Sequence, residues 1–382
     1  MDAIHNFGLA ARRIHVNSNA TCDMPTHLYE DATEPFVGKL SFYHFNMILS
    51  GSCTAVTFVA VFALMSLHAN RLSNPNEQLK IMRICTMLPL YSIFSFLSIC
   101  FPNAYVYLNG WIEVFQGVAL YSFLMLLCDF LAPNDQSRIY FFSSLQISER
   151  SKKSETTNGL TWLRKTWYKV IQYPIIAFII AIIECITQSR GVYCLGGHSV
   201  KFAHIWLNII QLISVFLAIS SILRFYKNTK SYMQEQKPLT KLLAFKLIVG
   251  LVFLEKIIFT ALETKNVLST SSTMTYADLH IGLPTMIICI QMVPFAFFFH
   301  YAYGTGHYII TGSSAPFQMS QQYIAVDSNV ESGEDHQRRY QGGPLGIYAW
   351  IALINPVNFF SEIKSAQALL RGGDSMSMDN AR

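Results

Sequence analysis

Apolar residues run through this chain in long unbroken blocks, without the one-faced or alternating patterns of soluble helices and strands. Seven blocks stand out, near 45–67, 79–101, 107–131, 170–188, 203–225, 241–262 and 279–303. A run of about 20 apolar residues is the length needed to cross a bilayer as a helix. Helices are expected because each crossing segment must satisfy its own backbone hydrogen bonds where there is no water. The predicted fold class is therefore an all-α membrane protein, a bundle of seven transmembrane helices.

The polar connections set the orientation. The first has Arg71 and Lys80. The third holds Arg138, Arg150, Lys152, Lys153, Arg164, Lys165 and Lys169, and the fifth Arg224, Lys227, Lys230, Lys237 and Lys241. The even connections carry almost no cations. By the positive-inside rule, the odd loops face the cytosol, with the N-terminus outside or luminal and the C-terminus cytosolic. Tyr105, Tyr107 and Trp111, with Trp162, Trp167 and Tyr168, fall at block edges, where amphipathic rings favour the membrane interface.

Composition agrees with this picture. Hydrophobic residues make up 52% of the 382 residues and charged residues only 13%, against about a quarter charged in a soluble domain. The net charge of +5 is read as a topology signal and not as a nucleic-acid surface, so no nucleic-acid partner is expected. The expected partner at this level is the lipid bilayer, in a plasma or internal membrane.

The predicted organisation has an outer segment at 1–44, a membrane domain at 45–303, a disordered cytosolic tail at 304–345 and an interfacial amphipathic helix at 346–371. The first 40 residues lack the apolar core of a cleavable signal peptide, so the first block is expected to act as the insertion signal. Asn19 opens an Asn-Ala-Thr glycosylation sequon on the outer side. Cys22 and Cys194 both fall in outer segments, and they either form a disulfide or stand as unrelated thiols. The third connection, 132–169, contains SERSKKSETTNG and reads as flexible. In the tail helix, Val357, Phe360 and Ile363 recur at intervals of three, and the apolar part is too short to span.

Chemistry-bearing motifs are missing from the sequence. It contains no His-Glu-x-x-His, no paired Cys-x-x-Cys, no Walker loop and no Gly-x-Ser-x-Gly elbow. The chain is not expected to be an enzyme, and no metal or other cofactor is expected. Polar residues inside the blocks are the functional candidates, since a buried charge there costs about 3 kcal/mol on insertion scales. Arg83, Asp129, Glu184 and Lys246 lie near block ends and read as anchors, with Arg83 snorkelling toward the cytosolic headgroups. Gln116, Gln211, Glu255, Lys256 and Gln291 lie deeper and form the candidate substrate pathway. Pro89, with Tyr91 beside it, opens the second span, while Pro284 and Pro294 flank Gln291; prolines free carbonyls and suit a hinge or cavity wall. The bland reading of the glutamines is interhelical hydrogen bonding, worth roughly 0.6 kcal/mol per contact.

These residues also resemble a known family. Gln78, Arg83, Met87, Pro89 and Tyr91, followed by Ser95-Phe96-Leu97, resemble the second-span signature of the organic solute transporter subunit alpha family, which includes the transmembrane protein 184 homologues. FQGVALYSFLMLL in the third span, LAISSILRFYKNTK in the fifth, KPLTKLLAFKLIV entering the sixth, and ICIQM before His300-Tyr301 in the seventh are similar in the same order. The likeness runs from about residue 45 to 305. It departs at Gln116 and Gln291, where the family commonly has Glu, at Phe94, where it has Asp, and at Glu255, where it has Gln. A cysteine cluster of the bile-acid transporter is absent, which places the likeness nearer the transmembrane protein 184 branch.

The resemblance implies seven spans with the N-terminus outside. It also implies facilitated diffusion of amphipathic organic solutes, such as steroid or lipid-like anions, with a small single-span subunit or a homo-oligomer as partner. Two alternatives remain at this point, a non-transporting scaffold or trafficking factor and a seven-span receptor. Against the receptor, residues 128–133 read CDFLAP where Asp-Arg-Tyr is expected. Asn355-Pro356-x-x-Phe359 lies in the tail, far beyond the seventh block.

Overall fold

The computed structural model describes residues 28, 34–148, 156–195, 201–233, 238–264, 270–308 and 340–379. Seven long helices make the body: α1 (Phe42–Asn70), α2 (Pro75–Cys100), α3 (Tyr105–Leu131), α5 (Gly159–Ser189), α6 (Ala203–Thr229), α7 (Pro238–Thr264) and α8 (Leu283–Ala302). Between α3 and α5 lie the short helix α4 (Asp135–Ser144) and a two-stranded antiparallel hairpin, β1 (Gln146–Ser148) with β2 (Thr156–Asn158). The tail folds as two helices, α9 (Ile347–Ile354) and α10 (Pro356–Asp379).

Polar residues at the junctions start these helices. Pro75 occupies the first turn of α2, where its missing N–H is no loss, and the Gln78 carbonyl accepts from the backbone N–H of Ser73 and Asn74 at 2.8 and 2.9 Å. Asn134 and Ser137 form a capping box on α4, and Asn158 accepts from the Leu160 N–H at 3.0 Å to start α5. Asn355 does the same for Val357 at 2.9 Å, so the tail turns at Asn355-Pro356 and is not one helix.

The bundle is built around α3, which packs on α2 on one side and α5 on the other. Leu120, Phe123, Leu124, Leu126 and Leu127 of α3 are fully buried. α1 and α8 close the α2 side, α6 lies on α5, and α7 packs chiefly on α8. Outward rows stay bare and apolar, among them Val56, Phe58 and Val59 on α1, Ile175 and Ile179 on α5 and Phe216 on α6. Such rows are unfavourable in water and suited to lipid tails.

Six described helices are long and apolar enough to cross a membrane: Phe42–Asn70, Pro75–Cys100, Pro102–Leu131, Gly159–Ser189, Ala203–Tyr232 and Asp278–Ala302. The protein is an all-α integral membrane protein. α7 coincides with the sixth predicted block but falls outside this set of six; it carries Lys241, Lys246, Glu255, Lys256 and Glu263, so no stretch of it is free of charge for long. At the other end of α8 the chain enters through a π-turn, Asp278–Gly282. There the Asn46 amide donates to the Gly282 carbonyl at 2.9 Å and Ser50 donates to Asn46 at 2.7 Å.

The connection at 132–169, expected to be flexible, holds α4 and the hairpin, and 149–155 lies outside the described residues. Phe142 of α4 is buried between Phe141 and Phe225, apolar anchoring that the neighbouring run of Ser, Lys and Glu concealed. Most of the stretch expected to be disordered, 309–339, is likewise outside the described residues.

Candidate functional site

Glu113 and Gln116 stand three residues apart on α3 and so share one face. Glu113 Oε2 accepts a hydrogen bond from Tyr173 Oη of α5 at 2.8 Å and from Gln211 Nε2 of α6 at 3.3 Å. Gln116 Oε1 accepts from Tyr91 Oη of α2. Four helices are tied together here. Gln172 and Ser214 extend the link between α5 and α6, with the Ser214 hydroxyl donating to the Gln172 carbonyl at 2.8 Å and the Gln172 amide to the Ser214 backbone carbonyl at 2.9 Å. Gly117 lets α3 approach α5 at this level, because a Cβ there would sit 2.7 Å from Pro174 Cα. The buried Gln211 Oε1 has no hydrogen-bond partner.

A second polar pair joins α7 to α8. Gln291 Nε2 donates to Glu255 Oε2 at 3.0 Å, while the remaining oxygen of each side chain is buried and unpartnered. Pro294 follows Gln291 by less than a turn inside α8, whereas Pro284 sits in the helix's first turn, just after the π-turn. The five residues expected to share one pathway thus divide: Gln116 and Gln211 meet through Glu113, and Glu255 and Gln291 meet each other. Lys256 lies on α7, and its side chain is outside the described residues. Glu113 was not foreseen; its spacing from Gln116 was the available signal.

Between α6 and α7 lies a cleft of about 210 Å³. Leu120 of α3 forms its floor, Leu212, Phe216 and Leu223 one wall, and Val249 and Phe253 the other. Lys246 borders this apolar lining with the stem of its side chain, on the exposed face of α7.

At the tail end of the bundle the charges are paired. Asp129 receives Lys80 at 2.6 Å and Arg138 at 2.8 Å. Arg83 pairs with Glu362 of α10 at 2.5 Å and lies over the Phe359 ring at 5.5 Å. The tail thus supplies a partner for Arg83, because α10 brings a carboxylate within reach of a side chain only 8% exposed. At the opposite end, Tyr193 Oη donates to Glu184 at 3.2 Å, and burial beside that carboxylate pushes the Tyr193 phenol well above its usual range. Cys194 is disulfide-bonded. Asn19 and Cys22 lie outside the described residues. Among the described residues no group of His, Cys, Asp and Glu is arranged to hold a metal ion.

With this geometry in place, the family model described as "Organic solute transporter Ostalpha" matches residues 46–308. The chain belongs to the organic solute transporter Ostalpha family. The match runs from residue 46, one turn into α1, to the turn after α8, leaving the tail helices outside. A transmembrane protein 184 homologue of Dictyostelium discoideum is 26% identical over 269 residues, covering 65% of this chain and 50% of the relative. The chain thus spans half the length of that curated relative. No solved structure matches it.

Proposed function

We propose that this Ostalpha family member is a passive carrier of amphipathic organic anions, steroid-like or lipid-like. In this reading α7 is a seventh span, the N-terminus is outside and the tail is cytosolic. The observation that supports it is the cleft between α6 and α7: apolar walls suit a hydrophobic body, and Lys246, whose stem borders the cleft, can turn its ammonium to an anionic group held at the rim. The cleft is smaller than the roughly 300 Å³ of a typical small-molecule pocket, so a whole ligand requires α7 to shift outward. α7 packs chiefly on α8, with Phe245 and Lys241 touching Phe123 and Phe130 of α3, and this small set of neighbours favours such a movement. Glu255 and Gln291 lie on the other face of α7, where their hydrogen bond ties it to α8 and gives the movement a fixed side. The solitary carboxylates offer no relay for protons, which favours facilitated diffusion over proton coupling. A small single-span subunit or a second copy of the chain is the protein partner the reading entails.

The test is uptake of labelled steroid sulfate into liposomes holding the purified chain, alone and with such a subunit. The expected result is a saturable flux that ignores an imposed pH gradient. It falls on the order of tenfold in Lys246→Ala and is blocked in Gly250→Trp, which fills the cleft. Flux unchanged in both variants removes the cleft from the pathway. No flux under either condition removes the carrier reading. The second reading, a non-transporting scaffold, is favoured by the exposed apolar residues Ile354, Val357 and Phe360 of the tail; it predicts partner capture that survives Gly250→Trp.

A further inference from the structure

Glu362 reaches from α10 into the tail end of the bundle like the head of a bound anion. One carboxylate oxygen meets Arg83 at 2.5 Å and the other meets Lys80 at 3.3 Å. Both cationic side chains are 8% exposed, and Arg83 depends on Glu362 for its counter-charge. Taking that carboxylate away leaves a buried guanidinium uncompensated, a strongly unfavourable state unless another anion takes its place.

The surroundings supply more than charge. The hydroxyl of Tyr121 and the indole N–H of Trp167 are buried and close no hydrogen bond of normal geometry, although the two rings lie only 6.3 Å apart, edge to face. Tyr121 also touches the ring of Phe359, 5.5 Å away, so its hydroxyl sits beside the segment that carries Glu362, with the Trp167 N–H behind it. Around this point Lys80, Arg83 and Arg138 face the buried carboxylate of Asp129 and the partly exposed one of Glu362, with Asp135 at the exposed rim. A group with more charge and more acceptor oxygens than a carboxylate would balance these cations and use the idle donors.

We propose that Arg83, Lys80, Tyr121 and Trp167 form a phosphate-binding site that Glu362 of the C-terminal helix occupies as an internal stand-in. Phosphate and the tail then compete: binding of one releases the other. This holds whether or not the chain carries solute.

The experiment uses the full chain in phosphatidylcholine nanodiscs, with hydrogen exchange over residues 356–370 as the reading of tail docking. Short-chain phosphatidic acid is expected to raise exchange across 356–370 while leaving α5 unchanged. Glu362→Gln is expected to bind phosphatidic acid on the order of tenfold more tightly than the parent chain, and Arg83→Gln to lose the effect. Release by inorganic phosphate as well assigns the ligand to solution; release by phosphatidic acid alone assigns it to a lipid headgroup. Either outcome supports the site. If Arg83→Gln does not fold, Glu362→Gln decides alone. Equal affinity in Glu362→Gln and the parent, with tail exchange unmoved by both probes, overturns the proposal.

Discussion

Two carboxylates on α3 show how differently one helix can treat a negative charge. Asp129, in the last turn, is held between the cations Lys80 and Arg138. Glu113, two-thirds of the helix away, receives only neutral donors, Tyr173 and Gln211. The first is an ion cluster in which two cations share one carboxylate, and it fastens α2, α3 and α4. The second is a polar contact among helices that can exchange partners at small cost. The charged end is thus built to stay closed, and the neutral middle is where movement is cheapest.

Asp129→Ala should break the comparison hardest. It leaves Lys80 with only Glu362 at 3.3 Å and Arg138 with only the exposed Asp135 at 3.6 Å, at a cost of about 3 kcal/mol, read as loss of thermal stability in detergent. Gly117→Leu comes next, at roughly 1–3 kcal/mol, because its first side-chain carbon already meets Pro174. The sign to look for is a lower melting temperature, with cysteine crosslinking between α3 and α5 reporting their separation. Glu113→Ala strands the Tyr173 hydroxyl and should cost about 1–3 kcal/mol, while Glu113→Gln keeps an acceptor and should cost less than about 1 kcal/mol. A Glu113→Gln loss as large as that of Asp129→Ala would show that the middle is as rigidly charged as the end. Gln291→Ala is the smallest, about 0.6 kcal/mol, so its effect belongs in flux and not in melting.

Much of this was visible in the sequence, and the failures are informative. Uninterrupted apolar blocks located all the long helices, because hydropathy over about 20 residues depends on the solvent and not on neighbours. Boundaries slipped where helices run on into water: α5 begins at Gly159, well before the block at 170, because Trp162, Leu163 and Trp167 pack inward at an end whose charges face out. The partner of Arg83 was not legible, since Glu362 lies 279 positions away and no local rule connects them. Gln116 and Gln211 were legible as polar residues in apolar blocks, but the carboxylate that joins them was overlooked. The cleft was invisible for a different reason: Lys246 reads as an ordinary anchor until α6 is placed beside it.

The π-turn before α8 has a consequence of its own. A wide turn of this kind is equivalent to one extra residue wound into a regular helix. Deleting a residue within Asp278–Gly282 would restore ordinary winding and swing everything upstream by about 100° relative to α8. Asn46 would then face a side of the helix with no waiting carbonyl, and the loop from α7 would leave in a new direction. Chain length at this one place therefore sets the heading of a whole segment, so an insertion or deletion here is expected to be far more disruptive than any single substitution in the same five residues.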